Sequence, residues 1–363
     1  MATSRNSIFQ QIKNLPRNVW AVSLTSFFMD ISSEMVINIL PLFLSNVLGV
    51  KTNIIGLIEG IAEATASILK LFSGWVSDKI GGRKWPAVLG YTVSALSKPF
   101  FYFANTWGTI AGARWADRVG KGIRTAPRDA LVADSIQPGQ RGIAFGFHRA
   151  ADTAGAMLGL SIALLITWLA QKQSVVLSAS TFRTIVLISI LPAILAVLSL
   201  VLGTQDIKKE KNGTLPKFAF KSLGKPFMIF MVIVAVFDLG NSSDAFLVLR
   251  AQERGLNILG ILGMLITFNL IYTLISAPAG SLSDRIGRRK IIIGGWFVYA
   301  VIYLGFAMAK TGAHIWILYA VYGFYYGMAY GTSKAMVADF VPEALRGTAY
   351  GTYNGVLGLL DFA

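Results

Sequence analysis

Residues 107–134 read WGTIAGARWADRVGKGIRTAPRDALVAD. The stretch begins and ends like a membrane-spanning helix, yet its middle carries Arg114, Asp117, Arg118, Lys121, Arg124, Arg128 and Asp129. At about 100° per residue these seven fall, with Thr125, in one arc of roughly 140°. Trp115, Ala116, Val119, Ile123 and Ala126 fill the other side. Each such charge costs roughly 2.5–3.5 kcal/mol at a bilayer centre if it meets lipid. The charged arc must therefore face other helices or a watery cavity, and it marks a functional region. A solvated face on a soluble helix would show the same stripe, so the rest of the chain has to decide.

Composition decides for the membrane. Apolar residues make up 54% of the 363 and charged residues 14%, with a mean hydropathy of +0.60. A soluble chain carries about a quarter charged residues. The net charge of +15 would suit nucleic acid, but the bases sit in short loops between apolar runs and inside those runs, which excludes that partner. With no cysteine there is no disulfide, thiol nucleophile or cysteine metal site. His148 and His314 stand in different halves without an HExxH pattern. No metal, organic cofactor or enzymatic activity is expected. Nor is a cleavable signal peptide, because the first apolar run is too long and lacks a small-residue cleavage site.

Helical spans of about 20 residues are expected at approximately 18–48, 53–77, 85–105, 107–133, 142–170, 183–203, 226–249, 257–283, 291–309, 314–338 and 347–363. Strands with open edges cannot satisfy their backbone in lipid. Kinks are expected at Pro41, Pro99, Pro192 and Pro278. Loops on the side of the N-terminus hold 18 Lys and Arg and the opposite loops six. That bias places the N-terminus in the cytoplasm, for a multi-pass protein of the cell membrane.

The chain repeats itself. GWVSDKIGGRK from Gly74 matches GSLSDRIGRRK from Gly280 at an offset of 206. ADSIQPGQRGIAFG from Ala133 matches ADFVPEALRGTAYG from Ala338 at an offset of 205. MDISSE in the first span resembles FDLGNSSD at 237–244. The halves divide at the polar linker 204–225, giving units 1–203 and 226–363. Parallel repeats of this kind place a substrate between the halves near the midplane. By repeat logic the second unit lacks the end of its eleventh span and a twelfth, so the chain is expected to be a fragment.

Gly74, Asp78, Gly81, Arg83 and Lys84, with the second set Gly280, Asp284, Arg285, Gly287, Arg288, Arg289 and Lys290, resemble the motif A loops of the major facilitator superfamily. Arg118 and Gly122, preceded by Ile110 and Arg114, resemble its motif B. The resemblance covers essentially the whole chain and implies an all-α integral membrane fold of two pseudo-symmetric six-helix bundles. It implies a gating role for the motif A residues, as a latch between the halves. The bases Arg83, Lys84, Arg288 and Lys290 also fit a simpler role as topology determinants. Where the family's antiporters often carry a GP motif C in the fifth span, Gly155 here precedes Ala156, which weakens a reading of efflux.

At 1.5 Å per residue, Asp30 and Arg118 come out level near the midplane, and Glu34 is level with Arg114. Glu59 and Glu63 of the second span fall at the same two depths. The family role of the motif B arginine implies proton transfer at Arg118, with Asp30 or Glu34 as its proton-accepting partner; a static ion network binding the first, second and fourth spans is the alternative. The cavity is expected to draw on Arg114, Lys121, Arg149, Asp152, Asp238, Asn241, Tyr322, Tyr326 and Tyr330. The small residues of the fifth span, Gly142, Gly146, Ala150, Ala154, Gly155 and Gly159, read as close helix packing.

The expected function is alternating-access transport of a small organic solute, driven by a proton or other ion gradient, with drug efflux included. Organic-anion exchange or symport through the fourth-span bases is the second reading, and a transport-dead sensor a remote third. The expected partners are the solute and the bilayer, with the protein acting as a monomer.

Overall fold

The structure, a computed structural model, describes residues 7–170, 177–207, 220–240, 247, 250–251, 254–256 and 258–360. Among them there is no strand, and thirteen α-helices follow one another. They are α1 (Ile8–Lys13), α2 (Arg17–Ile37), α3 (Leu40–Asn46), α4 (Thr52–Ile80), α5 (Lys84–Phe103), α6 (Trp107–Asp134) and α7 (Arg141–Ala170). Then come α8 (Ala179–Gly203), α9 (Lys225–Leu239), α10 (Ile258–Ile286), α11 (Arg288–Met308), α12 (Gly312–Phe340) and α13 (Arg346–Leu360).

The expected first span is two helices, α2 and α3, separated just before Pro41. Proline lacks an N–H and crowds the preceding turn, so the chain breaks there and restarts with proline in the first turn of α3. Pro99, Pro192 and Pro278 stay inside α5, α8 and α10. Pro127 inside α6 went unanticipated. Asn241, Asp244 and linker residues 208–219 lie outside the described residues.

The internal repeat is legible in local structure. Thr106 caps α6 by accepting from the Thr109 N–H at 3.3 Å, and Thr311 caps α12 by accepting from His314 N–H at 3.3 Å. The two caps are 205 residues apart, the offset of the repeat. A side-chain oxygen at this place satisfies one of the orphan N–H groups of the first turn. Gly81, at φ +72°, ends α4, and Gly287, at φ +97°, separates α10 from α11. Both are left-handed positions that favour glycine.

Within the first half α2 packs on α7 and α8, and α6 packs on α4 and α5; in the second, α12 packs on α10 and α11. The halves meet where α4 crosses α13 and α7 crosses α10. A methyl group on Gly74 would overlap the Gly347 carbonyl, and one on Gly142 would overlap that of Gly280. The backbones therefore touch at both crossings, as small residues permit. The fifth-span ladder serves two partners: Gly142 and Gly146 meet α10, while Gly155 and Gly159 meet Phe27 and Ile31 of α2.

Lipid faces are plain. Leu57, Ile61, Ile68, Phe72 and Val76 of α4 are all exposed and fall within an arc of about 100° at helical spacing. Glu59, Glu63 and Lys70 lie on the opposite side of that helix. Among the described residues four helical stretches are, by length and composition, apolar enough to cross a membrane: Pro138–Ala170, Ala179–Gly203, Gly263–Ile286 and Arg288–Met308.

Candidate functional site

The crossings are latched by carboxylates seated on helix N-termini. Asp78 of α4 accepts from the N–H groups of Gly347 (3.1 Å) and Thr348 (2.6 Å) and from the Thr348 hydroxyl (2.6 Å), in the first turn of α13. Asp284 of α10 accepts from the N–H groups of Gly142 and Ile143, both at 2.9 Å, in the first turn of α7. Unpaired N–H groups and the helix dipole make this a favourable seat for a negative charge. Arg83 bridges Asp78 (2.5 Å) to Asp134 (3.2 Å), and Arg346 reaches Asp134 at 2.6 Å. In the repeat, Arg288 bridges Asp284 (2.8 Å) to Asp339, and Arg141 reaches Asp339 at 2.7 Å.

Repeat alignment pairs Arg83 with Arg289, but the bridging guanidinium of the second half is Arg288. Three residues separate α4 from α5 and one separates α10 from α11, so the shorter turn brings the preceding arginine into place. Neither latch arginine is free for lipid phosphates. Burial works to lower the Arg83 pKa, but Asp78 and Asp134 raise it, and the net shift is upward. Lys84 is also engaged, donating to the carbonyls of Val201 (2.7 Å) and Thr204 (2.8 Å). Gly122 of the motif B pattern is a packing residue: a methyl there would stand 2.6 Å from Leu69 Cβ on α4.

The buried charges divide into two groups. In the first, Arg114 binds Glu59 (2.5 Å), and Arg118 binds Glu63 (2.9 Å) and Asp117 (3.1 Å). Lys98 of α5, fully buried, joins at Asp117 (3.4 Å) and Ser33 (3.3 Å). The span 2 to span 4 pairing of the sequence reading is therefore present. Its span 1 partners are not: among the described residues no ion pair joins Arg118 to Asp30 or Glu34. Lys98 was overlooked, although a lysine in the apolar run YTVSALSKPFFYF is itself a signal. The side chains of Glu59 and Glu63 are 30% and 42% exposed on the face of α4 turned away from the lipid stripe. The space between the halves is therefore open at this level, while the latched end is shut.

The second group lines a cavity of about 480 Å³ between the halves. Asp30, Glu34, Lys121, Arg124, Arg149 and Asp152 enter it from the first half, and Asp238, Tyr272, Tyr326, Tyr330 and Lys334 from the second. Asp30 is turned to Asp152, within hydrogen-bonding reach of its carboxyl group. Asp152 also takes Arg149 at 2.5 Å. Arg149 bonds the Tyr272 hydroxyl and lies over the rings of Tyr272 (5.0 Å) and Tyr330 (5.4 Å). Arg124 donates to Ser94 (2.7 Å) and stacks on Tyr91 at 4.4 Å.

Tyr326 and Tyr330 stack at 4.7 Å and form part of the wall. Tyr322, expected beside them, is fully buried in an aromatic core with Phe268, Tyr319 and Tyr325. It shares a face of α12 with Tyr326 and Tyr330, all three within about 80°, but one turn earlier, where Phe268 of α10 packs against it. Arg114 likewise does not line the cavity. At its floor Asp129 accepts from Arg128 (2.9 Å), Lys334 (2.8 Å) and Asn354 (3.1 Å).

The sequence profile of the Major Facilitator Superfamily matches residues 22–362. An uncharacterised MFS-type transporter of Methanocaldococcus jannaschii, MJ1317, is 36% identical over 353 residues, covering 96% of this chain and 86% of that protein. The multi-drug resistance efflux pump PmrA of Streptococcus pneumoniae is 24% identical over 330 residues, covering 88% of this chain and 80% of the pump. Among solved structures, that of the human organic anion transporter MFSD10 superposes with a TM-score of 0.75 at 16% identity, covering 96% of this chain and 91% of that one.

Proposed function

Because the chain belongs to the major facilitator superfamily, we propose that it moves a small organic anion across the membrane by alternating access, coupled to protons. Membrane transport is the activity of the family; the solute and the coupling are our reading. The observation that carries the anion is the charge of the cavity. Six basic residues line it (Lys70, Lys121, Arg124, Arg128, Arg149, Lys334) against four acids (Asp30, Glu34, Asp152, Asp238). Arg124 has a hydroxyl and a ring for partners, and neither neutralises it. A cleft with excess positive charge and low-dielectric walls concentrates anions. The stacked rings of Tyr326 and Tyr330 offer the apolar remainder of the solute a flat surface.

Asp30 and Asp152 supply the coupling. Two carboxyl groups form a hydrogen bond only while one carries a proton. Arg149 competes for Asp152, so a proton gained or lost by the pair changes what Arg149 can bind. Arg118, cast as the proton-transfer arginine in the sequence reading, is held by Glu63 and Asp117 instead, which suits a static brace. With the basic loops in the cytoplasm, the conformation latched at that end is outward-facing.

Binding to purified protein tests the solute class. A panel of mono- and dicarboxylates, organic cations and neutral sugars is followed by calorimetry. Carboxylate binding that falls at least tenfold in Arg124→Gln supports the anion. Binding of cations or sugars alone refutes it.

A further inference from the structure

Ala133 and Ala338 set the repeat at an offset of 205, and by that offset Asp129 and Lys334 are equivalent positions. Two equivalent positions that touch must lie on the pseudo-two-fold axis relating the halves. They touch through opposite charges at 2.8 Å, with Asp129 fully buried. Asp129 does not line the cavity, but the groups that bond it do: Arg128, Lys334 and Asn354 all have faces on it. Both oxygens of Asp129 are used, one by Arg128 and the other by Lys334 and Asn354. Arg128 belongs to the first half, Lys334 and Asn354 to the second. The carboxylate thus ties α6 to α12 and α13 directly beneath the solute chamber.

We propose that Asp129 and Lys334 form the central lock of the basic end, and that an anion entering the cavity opens it by taking Lys334 and Arg128 away from Asp129. The release step rests on the anion reading above; the lock does not. Arg128, Lys334 and Asp129 together carry one net positive charge, so the cluster attracts a carboxylate. The arriving carboxylate meets the donors on their open side and offers the same acceptor chemistry as Asp129. Once it holds them, the halves lose the tie on the axis, while the two peripheral latches remain. A ligand shifts a two-state equilibrium only through different affinities for the two states, and here the difference is the contact exchanged.

The native chain has no cysteine, so single-cysteine reporters are clean. Ala349, fully buried in the first turn of α13, becomes Ala349→Cys, and its reaction with a charged maleimide reads opening of the basic end. Ala87→Cys, buried inside the first half, reads general unfolding. Asp129→Asn is expected to raise labelling at 349 roughly tenfold with no change at 87, and the exchanged pair Asp129→Lys with Lys334→Asp to bring it back down. Benzoate and succinate, as probes, are expected to speed labelling of the otherwise native protein and to add nothing in Asp129→Asn. Native labelling rates in Asp129→Asn overturn the lock. A faster rate in that variant, with no response of the native background to either carboxylate while calorimetry shows them bound, overturns the release step alone. If neither carboxylate binds, the anion reading fails and takes the release step with it.

Discussion

Asp129 and Lys334 stand at the same place in the two repeats and pair with each other at 2.8 Å. Opposite charges at one repeat position make the symmetry imperfect where it matters. The flanking latches are repeated almost group for group, whereas at the axis one carboxylate of the first half, Asp129, is held by Lys334 and Asn354 of the second. Sheltered charge here joins the two halves, and the variants below separate a gating role from simple stability.

Asp78→Asn removes a carboxylate that holds two N–H groups, a hydroxyl and Arg83. Breaking a buried pair from one side costs about 3–5 kcal/mol. The expected outcome is loss of transport with increased labelling at the Ala349→Cys reporter. Asp284→Asn is expected to act the same way, because Gly142 and Ile143 lose the same seat. Either variant transporting at the native rate contradicts the latch.

Gly74→Ala and Gly280→Ala place a methyl group against a facing carbonyl. Overpacking of this kind costs typically about 1–3 kcal/mol. Because the overlap exists only in the latched state, the cost is expected as a shift toward opening, read by the same labelling. Gly112→Ala, with open space around it, serves as the silent control.

Asp117 answers to Lys98, Arg118 and Arg114 together, at 3.4, 3.1 and 3.6 Å. Asp117→Asn strands Lys98 and leaves Arg114 and Arg118 only their glutamates, and thermal melts are expected to register a loss of about 3–5 kcal/mol. Lys98→Met leaves Asp117 its arginines and is expected to lose no more than about 1 kcal/mol. The reverse order contradicts a network centred on Asp117.

Much of this was legible in the sequence. Helix positions followed from apolar run length, because lipid permits few other structures, and the latch loops followed from the repeat. The pairing of α6 with α4 followed from depth along the helices. Depth, however, does not give rotation about a neighbour: Asp30 was level with Arg118 but faces Asp152 on α7. Tyr322 and Tyr326 are one turn apart, yet one is core and the other wall, since the boundary between them is set by packing from α10. The glycine ladder of α13 (Gly347, Gly351, Gly355, Gly358) shows a helical spacing that went unread, and α4 fills it.

Tyr326→Leu removes half of a stacked pair while keeping apolar bulk. A loss of about 0.5–1.5 kcal/mol in binding of an aromatic carboxylate is expected, with an aliphatic one little changed. Competition binding with benzoate and succinate measures the difference, and equal losses for both would remove the flat-surface argument.

Asp30→Asn holds the pair with Asp152 in a form that cannot release its shared proton. Counterflow exchange of a bound carboxylate in proteoliposomes is expected to survive, while accumulation driven by a pH gradient is lost. The most direct test of the whole account is that measurement on the native protein beside Asp30→Asn and Arg124→Gln. Gradient-driven carboxylate flux is expected in the native protein, exchange without accumulation in Asp30→Asn, and neither in Arg124→Gln. Native flux indifferent to the pH gradient, or carboxylate accumulation undiminished in both variants, would contradict it.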